Sequence, residues 1–263
     1  MSIAEFDVPL AQDQPPTPRQ NPRGRWRAGL LIRPAFLVLI LLILFLYVHS
    51  QKLDSIEKRS INRHAIGTAL GQHVRLCVIA TAFVIVIAVP LGLLLTRRSA
   101  RFLRPGALAL GNLGQAIPSI GLLVLIAFWR GNGFWSAAIA LVAYSILPVL
   151  RNTIVGLQQV DPSLIEAGRG MGMSRTAILF RVELPLAVPV ILAGIRTALV
   201  LTFATATLAT FIGAGGLGDG LIAGIKLDRT VVILTYGVIV AVLALFFDWV
   251  GSLAENYLRP RGI

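Results

Sequence analysis

Long uncharged apolar runs recur along this chain and constrain its fold more than any other feature. The first extends from Pro34 to Val48 and the last from Thr230 to Phe247. A helix of about 20 mostly apolar residues crosses the hydrocarbon core of a bilayer. Because lipid offers no hydrogen-bond partners, a segment that crosses it must satisfy its own backbone groups, as a helix does. Each long apolar run is therefore predicted to be a transmembrane helix.

Six stretches are long and apolar enough, or nearly so, to cross a membrane. They are residues 31–49, 74–95, 107–129, 134–156, 187–212 and 230–250. With short connections they use almost all of the 263 residues, which leaves no room for a soluble domain. Four prolines within or near these stretches are expected to kink or break helices, namely Pro90, Pro118, Pro148 and Pro189. The sequence predicts an all-α integral membrane protein with about six transmembrane helices.

Composition divides the chain into four segments. Residues 1–28 are rich in Pro, Gln and Arg and have no apolar period, which is typical of a disordered tail. Residues 29–73 hold the first transmembrane helix and an outer loop, residues 74–258 hold the membrane core, and residues 259–263 form a second tail. The first helix is expected to be retained, since "YVHSQKL" offers no small-residue cleavage site.

The 24 Lys and Arg residues outnumber the 12 Asp and Glu residues. Nucleic-acid binding is not expected, because the basic residues stand between apolar runs rather than on one soluble face. Cytoplasmic loops of membrane proteins are enriched in Lys and Arg. Placing both termini in the cytoplasm puts most of the basic residues on that side, although the first outer loop is itself basic. This is the predicted topology.

A polar, glycine-rich segment, residues 161–184, separates two of the apolar stretches. Asp161 and Pro162 are a favourable cap and first residue for a helix, which Gly170 and Gly172 can end. Ser174 caps a second short helix, "RTAILFRVEL", which Pro185 is expected to stop. The prediction is a pair of helices too short to span, on the inner face; we call residues 161–184 the hairpin.

The hairpin is expected to present an apolar tip formed by Ile165, Met171 and Met173, with Glu166 and arginines around it. A compact helix of this kind suits insertion into a groove of a partner protein. The same residues also suit a loop that lies on the lipid surface. The residues alone leave both interpretations open.

The hairpin resembles the signature loop of permease subunits in bacterial ABC importers, the binding-protein-dependent transport systems. That signature is Glu-Ala-Ala, three residues, Gly, nine residues, Ile, one residue and Leu-Pro. The matching positions here are Glu166, Ala167, Gly168, Gly172, Val182, Leu184 and Pro185. Gly168 and Val182 depart from the pattern, which has alanine and isoleucine there. The resemblance implies that these residues and Met171 form a coupling helix that docks on a separate ATPase subunit.

Three further segments are similar to the osmoprotectant branch of that family, which imports glycine betaine, choline or carnitine. They are "NLGQAIPSIGLLVL" at 112–125, "LPVLRNTIVGLQQVDPSLIEAGRGMGMS" at 147–174 and "GIRTALVLTFATATLATFIGAGGLGDGL" at 194–221. Methionine-type importers share the "FIGAGGLG" ending, so an amino-acid permease is the alternative. The resemblance implies a bacterial inner-membrane permease that works with ATPase subunits, a second permease subunit (the same or a different chain) and an extracytoplasmic binding protein. Residues 74–258 are then its permease core.

Polar residues in otherwise apolar helices are the candidates for a translocation pathway. They are Asn112, Gln115, Ser119, Thr205, Thr207 and Thr210. Intramembrane Ser and Thr often bond to their own helix, so structural roles are the alternative.

Other patterns are not interpreted as sites. "GAGGLG" at 213–218 follows a predicted transmembrane helix rather than a strand, so it is not a dinucleotide site. No Gly-x-x-x-x-Gly-Lys-Ser/Thr motif is present, and ATP is expected on the partner subunit. His49, His64 and His73 are too widely spaced to predict a metal site, and Cys77 is the single cysteine. Without paired catalytic groups the chain is not expected to be an enzyme. A membrane scaffold without transport is a further alternative.

Overall fold

The computed structural model describes residues 22–258, so residues 1–21 and 259–263 of the two predicted tails lie outside the described residues. Within that range the chain forms helices and no strand. Five helices are long and apolar enough to cross a membrane, and one bent pair raises the number to six. The prediction of an all-α membrane protein with about six transmembrane helices is confirmed.

The α-helices follow one another closely along the chain. They are α1 (Pro22–Ser50), α2 (Ser55–Ser60), α3 (Arg63–Leu95), α4 (Arg104–Ala116), α5 (Ser119–Arg130), α6 (Phe134–Gln158), α7 (Pro162–Gly170), α8 (Arg175–Ile178), α9 (Leu184–Thr205), α10 (Leu217–Lys226) and α11 (Thr230–Leu258). The turn Leu179–Glu183 before α9 is π-helical, and 3-10 helices occupy Arg101–Leu103 and Ala206–Ile212. Helix α1 begins at Pro22, so the prediction of a disordered tail is wrong for residues 22–28, and α3 begins at Arg63, within the predicted first outer loop.

Helices α6 and α9 form the centre of the fold, and α3 packs against both. Their backbones approach closely because glycines stand at the crossing. A methyl group added at Gly194 would lie 2.8 Å from the carbonyl oxygen of Pro148, and one at Gly156 would lie 3.1 Å from the carbonyl oxygen of Ala187. The tight α6–α9 contact joins the hairpin, which lies between these helices in sequence, to the core of the bundle.

The stretch 107–129 is a bent pair of helices, with the break at Pro118 as expected, and it is the sixth candidate span when the pair is taken as one broken span. Helices α4 and α5 meet at an angle of 100°. The break falls at Ile117 and Pro118, because proline has no N–H for the helix and disfavours a helical residue before it. Helix α4 packs closely on α6, where a methyl group at Gly114 would lie 2.5 Å from the carbonyl oxygen of Ala143.

The prediction that Pro185 stops the second short helix is wrong. Pro185 lies in the first turn of α9, directly after a π-helical turn in which the Leu184 N–H bonds to the Leu179 carbonyl, so the helix continues past the missing proline N–H with altered bonding. The π-helical turn carries α8 directly into α9, and residues Arg175–Ile212 form one apolar helical segment long enough to cross the membrane. The second arm of the hairpin is therefore the start of a transmembrane segment.

The end of the bundle opposite the hairpin is held by contacts between distant segments. Arg229, before α11, pairs with Asp54, before α2, at 2.9 Å. The Tyr236 hydroxyl donates a hydrogen bond to the carbonyl oxygen of Ser60 at 2.9 Å. The glycine-rich segment between the second 3-10 helix and α11 contains α10, which is too short to span and packs on α11.

The close α6–α9 approach predicts a strong effect of Gly194→Ala. The added methyl would meet the Pro148 carbonyl and the Asn152 side chain at 2.7 Å, so the two helices must move apart. We expect the free energy of unfolding to fall by about 1–3 kcal/mol, measured as a lower Tm in detergent. Gly237→Ala is the matched control, since its methyl meets one atom of Leu221 at 3.8 Å. Equal Tm values for the two variants would contradict this packing.

Candidate functional site

Local chemistry forms the first arm of the hairpin as the sequence predicts. Asp161 caps α7 by accepting a hydrogen bond from the Ser163 N–H at 2.8 Å. That bond stabilises the ionised carboxylate and lowers the pKa of Asp161 from its usual value. The helix ends with Gly172 at a φ of 78°, and the Met173 N–H bonds back to the Gly168 carbonyl at 3.0 Å. A residue with a side chain is strained at that φ, which explains the glycine of the signature.

The hairpin's signature residues lie in three different environments. Glu166, Ala167 and Gly172 are exposed, and Met171 is 75% exposed. Gly168 is buried, and Leu184 and Pro185 are half-buried in the first turn of α9. The hairpin therefore offers α7 and Met171 to a partner, whereas Leu184 and Pro185 belong to the transmembrane segment.

The predicted apolar tip is only partly formed. Met171 projects from the hairpin, but Ile165 and Met173 are half-buried and line a cleft between the hairpin and the end of α3. Gly168 faces Ile178 and Met173, where an added methyl would lie 3.4 and 3.5 Å from their side chains. Alanine would make ordinary contacts there, so the departure from the signature at Gly168 leaves the hairpin's geometry unchanged.

An ion pair that the sequence did not predict joins the hairpin to α3. Arg97, just beyond α3, donates to Glu183 with Nη2–Oε2 at 2.5 Å and Nη1–Oε1 at 3.4 Å. Glu183 ends the π-helical turn and is 9% exposed. The available sequence signal was that Glu183 is the one acidic residue in the second arm, "RTAILFRVEL".

The candidate pathway residues fall into two groups. Asn112, Gln115 and Ser119 lie at the α4–α5 bend, whereas Thr205, Thr207 and Thr210 lie at the end of α9 and in the following 3-10 helix. Helix α5 packs against that 3-10 helix, so the two groups occupy neighbouring elements. Their role in a pathway stays a prediction.

Gln115 has a structural task. Its Nε2 donates to the carbonyl oxygen of Tyr144 at 3.3 Å. In a regular helix that carbonyl would accept from the residue four positions later, but that residue is Pro148, which has no N–H. The Gln115 amide supplies the missing donor and fixes α4 against α6.

The threonines also have local partners. Thr207 donates to the carbonyl oxygen of Ala204 at 2.7 Å, and Thr210 donates to Asp219 of α10. Thr205 is buried, Ser119 is half-buried and Asn112 is exposed. Asn112 is therefore the member of the set with an exposed amide, whereas the hydroxyls of Thr207 and Thr210 are hydrogen-bonded within the protein.

Buried polar groups that the sequence did not single out cluster around the end of α9. Thr202 donates to the Ser145 hydroxyl on α6 at 2.9 Å. His73 of α3 is fully buried, and its Nε2 lies 3.1 Å from the carbonyl oxygen of Phe203. These contacts join α3, α6 and α9 where α9 gives way to the 3-10 helix.

The three histidines do not come together. His49 stacks on Phe45 within α1, His64 is exposed in the first turn of α3, and His73 is buried further along α3. Over residues 22–258, no group of three His, Cys, Asp or Glu side chains could hold a metal ion.

The Tyr144 carbonyl, which has no helical donor because of Pro148, predicts that Gln115→Leu destabilises the protein. Leucine fills a similar volume but leaves the Tyr144 carbonyl without a donor, so we expect the free energy of unfolding to fall by about 0.5–2 kcal/mol. A thermal melt in detergent measures the change. Asn112→Leu, an amide-to-leucine change at an exposed position of the same helix, is the control and is expected to melt like the wild type. An unchanged Tm for Gln115→Leu would show that the Gln115–Tyr144 hydrogen bond does not stabilise the fold.

Comparison with known proteins agrees with the hairpin and the bundle. The family described as "Binding-protein-dependent transport system inner membrane component" matches residues 88–261. The glycine betaine/carnitine/choline transport system permease protein OpuCB of Bacillus subtilis is 39% identical over 196 residues, which is 73% of this chain and 88% of that protein. The osmoprotectant import permease protein OsmW of Salmonella typhimurium is 36% identical over 216 residues, 80% of this chain and 100% of that protein.

Solved structures show the same fold. A chain of the MetNI methionine ABC transporter, in inward-facing conformations, superimposes with a TM-score of 0.65 and 25% identity. The match covers 73% of this chain and 95% of that chain. The predicted multi-pass location in the bacterial inner membrane is confirmed by the family match together with the apolar helices. The chain belongs to the family of inner-membrane components of binding-protein-dependent transport systems.

Proposed function

We propose that this chain is the membrane-spanning permease subunit of an ATP-driven importer of a small quaternary-amine osmoprotectant, such as glycine betaine, choline or carnitine. The observation that carries the proposal is the exposed hairpin. It bears the signature residues, and its second arm continues directly as a transmembrane segment. A membrane scaffold or an intramembrane enzyme has no need of such an element. The substrate class is supported by relatives that are 39–40% identical and carry these substrates in their names.

The importer needs partners for ATP hydrolysis, for enclosing the pathway and for delivering the substrate. ATP is bound and hydrolysed on separate ATPase subunits, and α7 with Met171 docks on them. Two permease subunits, of the same or different chains, enclose the pathway, and an extracytoplasmic binding protein delivers the substrate. The hairpin and both termini then face the cytoplasm, in keeping with the arginines around the hairpin.

The mechanism follows from the continuity of α8 and α9. When the ATPase subunits close, they shift the hairpin, and α9 moves with it because no loop separates the two. The close α6–α9 crossing transmits this movement to the bundle and alternates access between the two faces. A ligand or partner shifts such an equilibrium only through its different affinity for the two states. The ATPase subunits supply this difference in affinity, because they bind the hairpin more tightly in one state than in the other.

A methionine permease is the second candidate, favoured by the 0.65 TM-score to the methionine transporter chain. Identity to that chain is 25%, against 39% to the permease from B. subtilis. Uptake of radiolabelled glycine betaine, choline, carnitine and methionine into vesicles separates the two candidates. The proposal expects uptake of at least one quaternary amine. Uptake of methionine alone would make the methionine permease the better-supported candidate.

The docking role predicts that Glu166→Lys separates the permease from its ATPase. Glu166 is exposed on α7, so the variant should fold normally and change only the surface that the partner meets. We expect wild-type protein purified from its own membranes to retain an ATPase subunit and the variant to lose most of it.

Asp228→Lys is the control, because it makes the same charge change at an exposed residue between α10 and α11, away from the hairpin. It should retain the ATPase at the wild-type level. Equal retention by Glu166→Lys and Asp228→Lys would place the docking surface elsewhere.

A further inference from the structure

The base of the hairpin contains one carboxylate among several arginines. A cleft of about 800 Å³ separates α8 from the end of α3, and four arginines and one acidic residue line it. These charged residues are Arg97, Arg98, Arg169, Arg175 and Glu183. The Glu183 side chain is 12% exposed, whereas that of Arg97 is 36% exposed. A carboxylate so far removed from water is stable only when a cation compensates it.

The Arg97–Glu183 pair has the geometry of a strong contact. Both guanidinium nitrogens reach the carboxylate, at 2.5 and 3.4 Å. Two-pronged pairing of this kind fixes direction as well as distance. Breaking it from either side leaves a buried carboxylate or a group of arginines without their counter-charge.

The position of the pair is unusual in the fold. Helix α3 packs on α6 and α9 but has no extensive contact with α7 or α8. The ion pair crosses the cleft and ties α3 directly to the π-helical turn that joins α8 to α9. π-Helical turns are irregular segments that often occur at functional positions. Movement of the hairpin therefore reaches α9 through the backbone and α3 through this pair.

We propose that Arg97 and Glu183 are positioning residues that make α3 follow the hairpin, so that ATP hydrolysis is coupled to substrate movement. The inference rests on the proposed function, since it assumes that the hairpin is moved by an ATPase. Without the pair, no polar side-chain contact among residues 22–258 ties α3 to the π-helical turn across the cleft. The hairpin can then rock while α3 stays in place, and ATP is hydrolysed without transport.

The test uses the complete transporter in lipid vesicles, with ATPase subunits, binding protein and radiolabelled glycine betaine. Glu183→Gln and Arg97→Gln remove the ion pair and keep the side-chain shapes. We expect both to retain the ATPase and hydrolyse ATP, but to take up about tenfold less substrate per ATP hydrolysed. Arg97→Lys keeps a positive charge beside Glu183 and should recover part of the uptake per ATP.

Arg98→Gln is the control, because Arg98 lines the same cleft and forms no ion pair within the part of the chain that the structure describes. Its uptake per ATP should equal that of the wild type. A purely structural role for the pair would lower Tm or ATPase retention and leave uptake per ATP unchanged. That result, or equal uptake per ATP by Arg97→Gln and Arg97→Lys, would overturn the inference. Wild-type protein that retains no ATPase would instead overturn the proposed function.

Discussion

The absence of a loop between the hairpin and α9 is the constraint on which this structure depends. A π-helical turn at Leu179–Glu183 keeps the backbone helical from α8 into α9, and Pro185, which has no N–H, follows directly after this change in bonding. A flexible connection would let the hairpin move alone. Because α7 packs on α8 and on this turn, a force on the exposed α7 acts through the continuous segment on a helix at the centre of the bundle.

Polar contacts hold that central helix to its neighbours at three levels. Glu183 pairs with Arg97 at its start, and Thr202 bonds to Ser145 near its end. Between them, Arg196 pairs with Asp248 at 2.8 Å and with Glu255 at 2.9 Å, both on α11. A charge inside a transmembrane segment is costly unless it is paired. The two ion-paired contacts therefore favour one arrangement of α9 against α3 and α11.

Features set by nearby residues were predictable from the sequence. The apolar runs identify the transmembrane helices, and Asp161, Pro162 and Gly172 identify the first arm of the hairpin, because capping and left-handed backbone depend on adjacent residues. The effect of Pro185 was not predictable in the same way. A proline either ends a helix or begins one, and the surrounding turn decides which.

Long-range pairs had no local signal. Arg97 and Glu183 are 86 residues apart, and Gln115 and Tyr144 are 29 apart, so only the folded bundle brings them together. Gln115 was predicted as a pathway residue because an amide in an apolar helix needs a reason to be there. In the structure, Gln115 instead donates a hydrogen bond to the Tyr144 carbonyl, which has no helical donor because of Pro148.

Thiol cross-linking from the hairpin tests the central claim most directly. The native Cys77 is fully buried, so a cysteine introduced at the exposed Met171 is the thiol that reagents reach first. With a reagent that carries a maleimide at one end and a photoreactive benzophenone at the other, which inserts into nearby C–H bonds, the account predicts that Met171→Cys links to an ATPase subunit in native membranes. Protection from water-soluble maleimide, with no ATPase linked, would mean that the hairpin lies on lipid and would contradict the account.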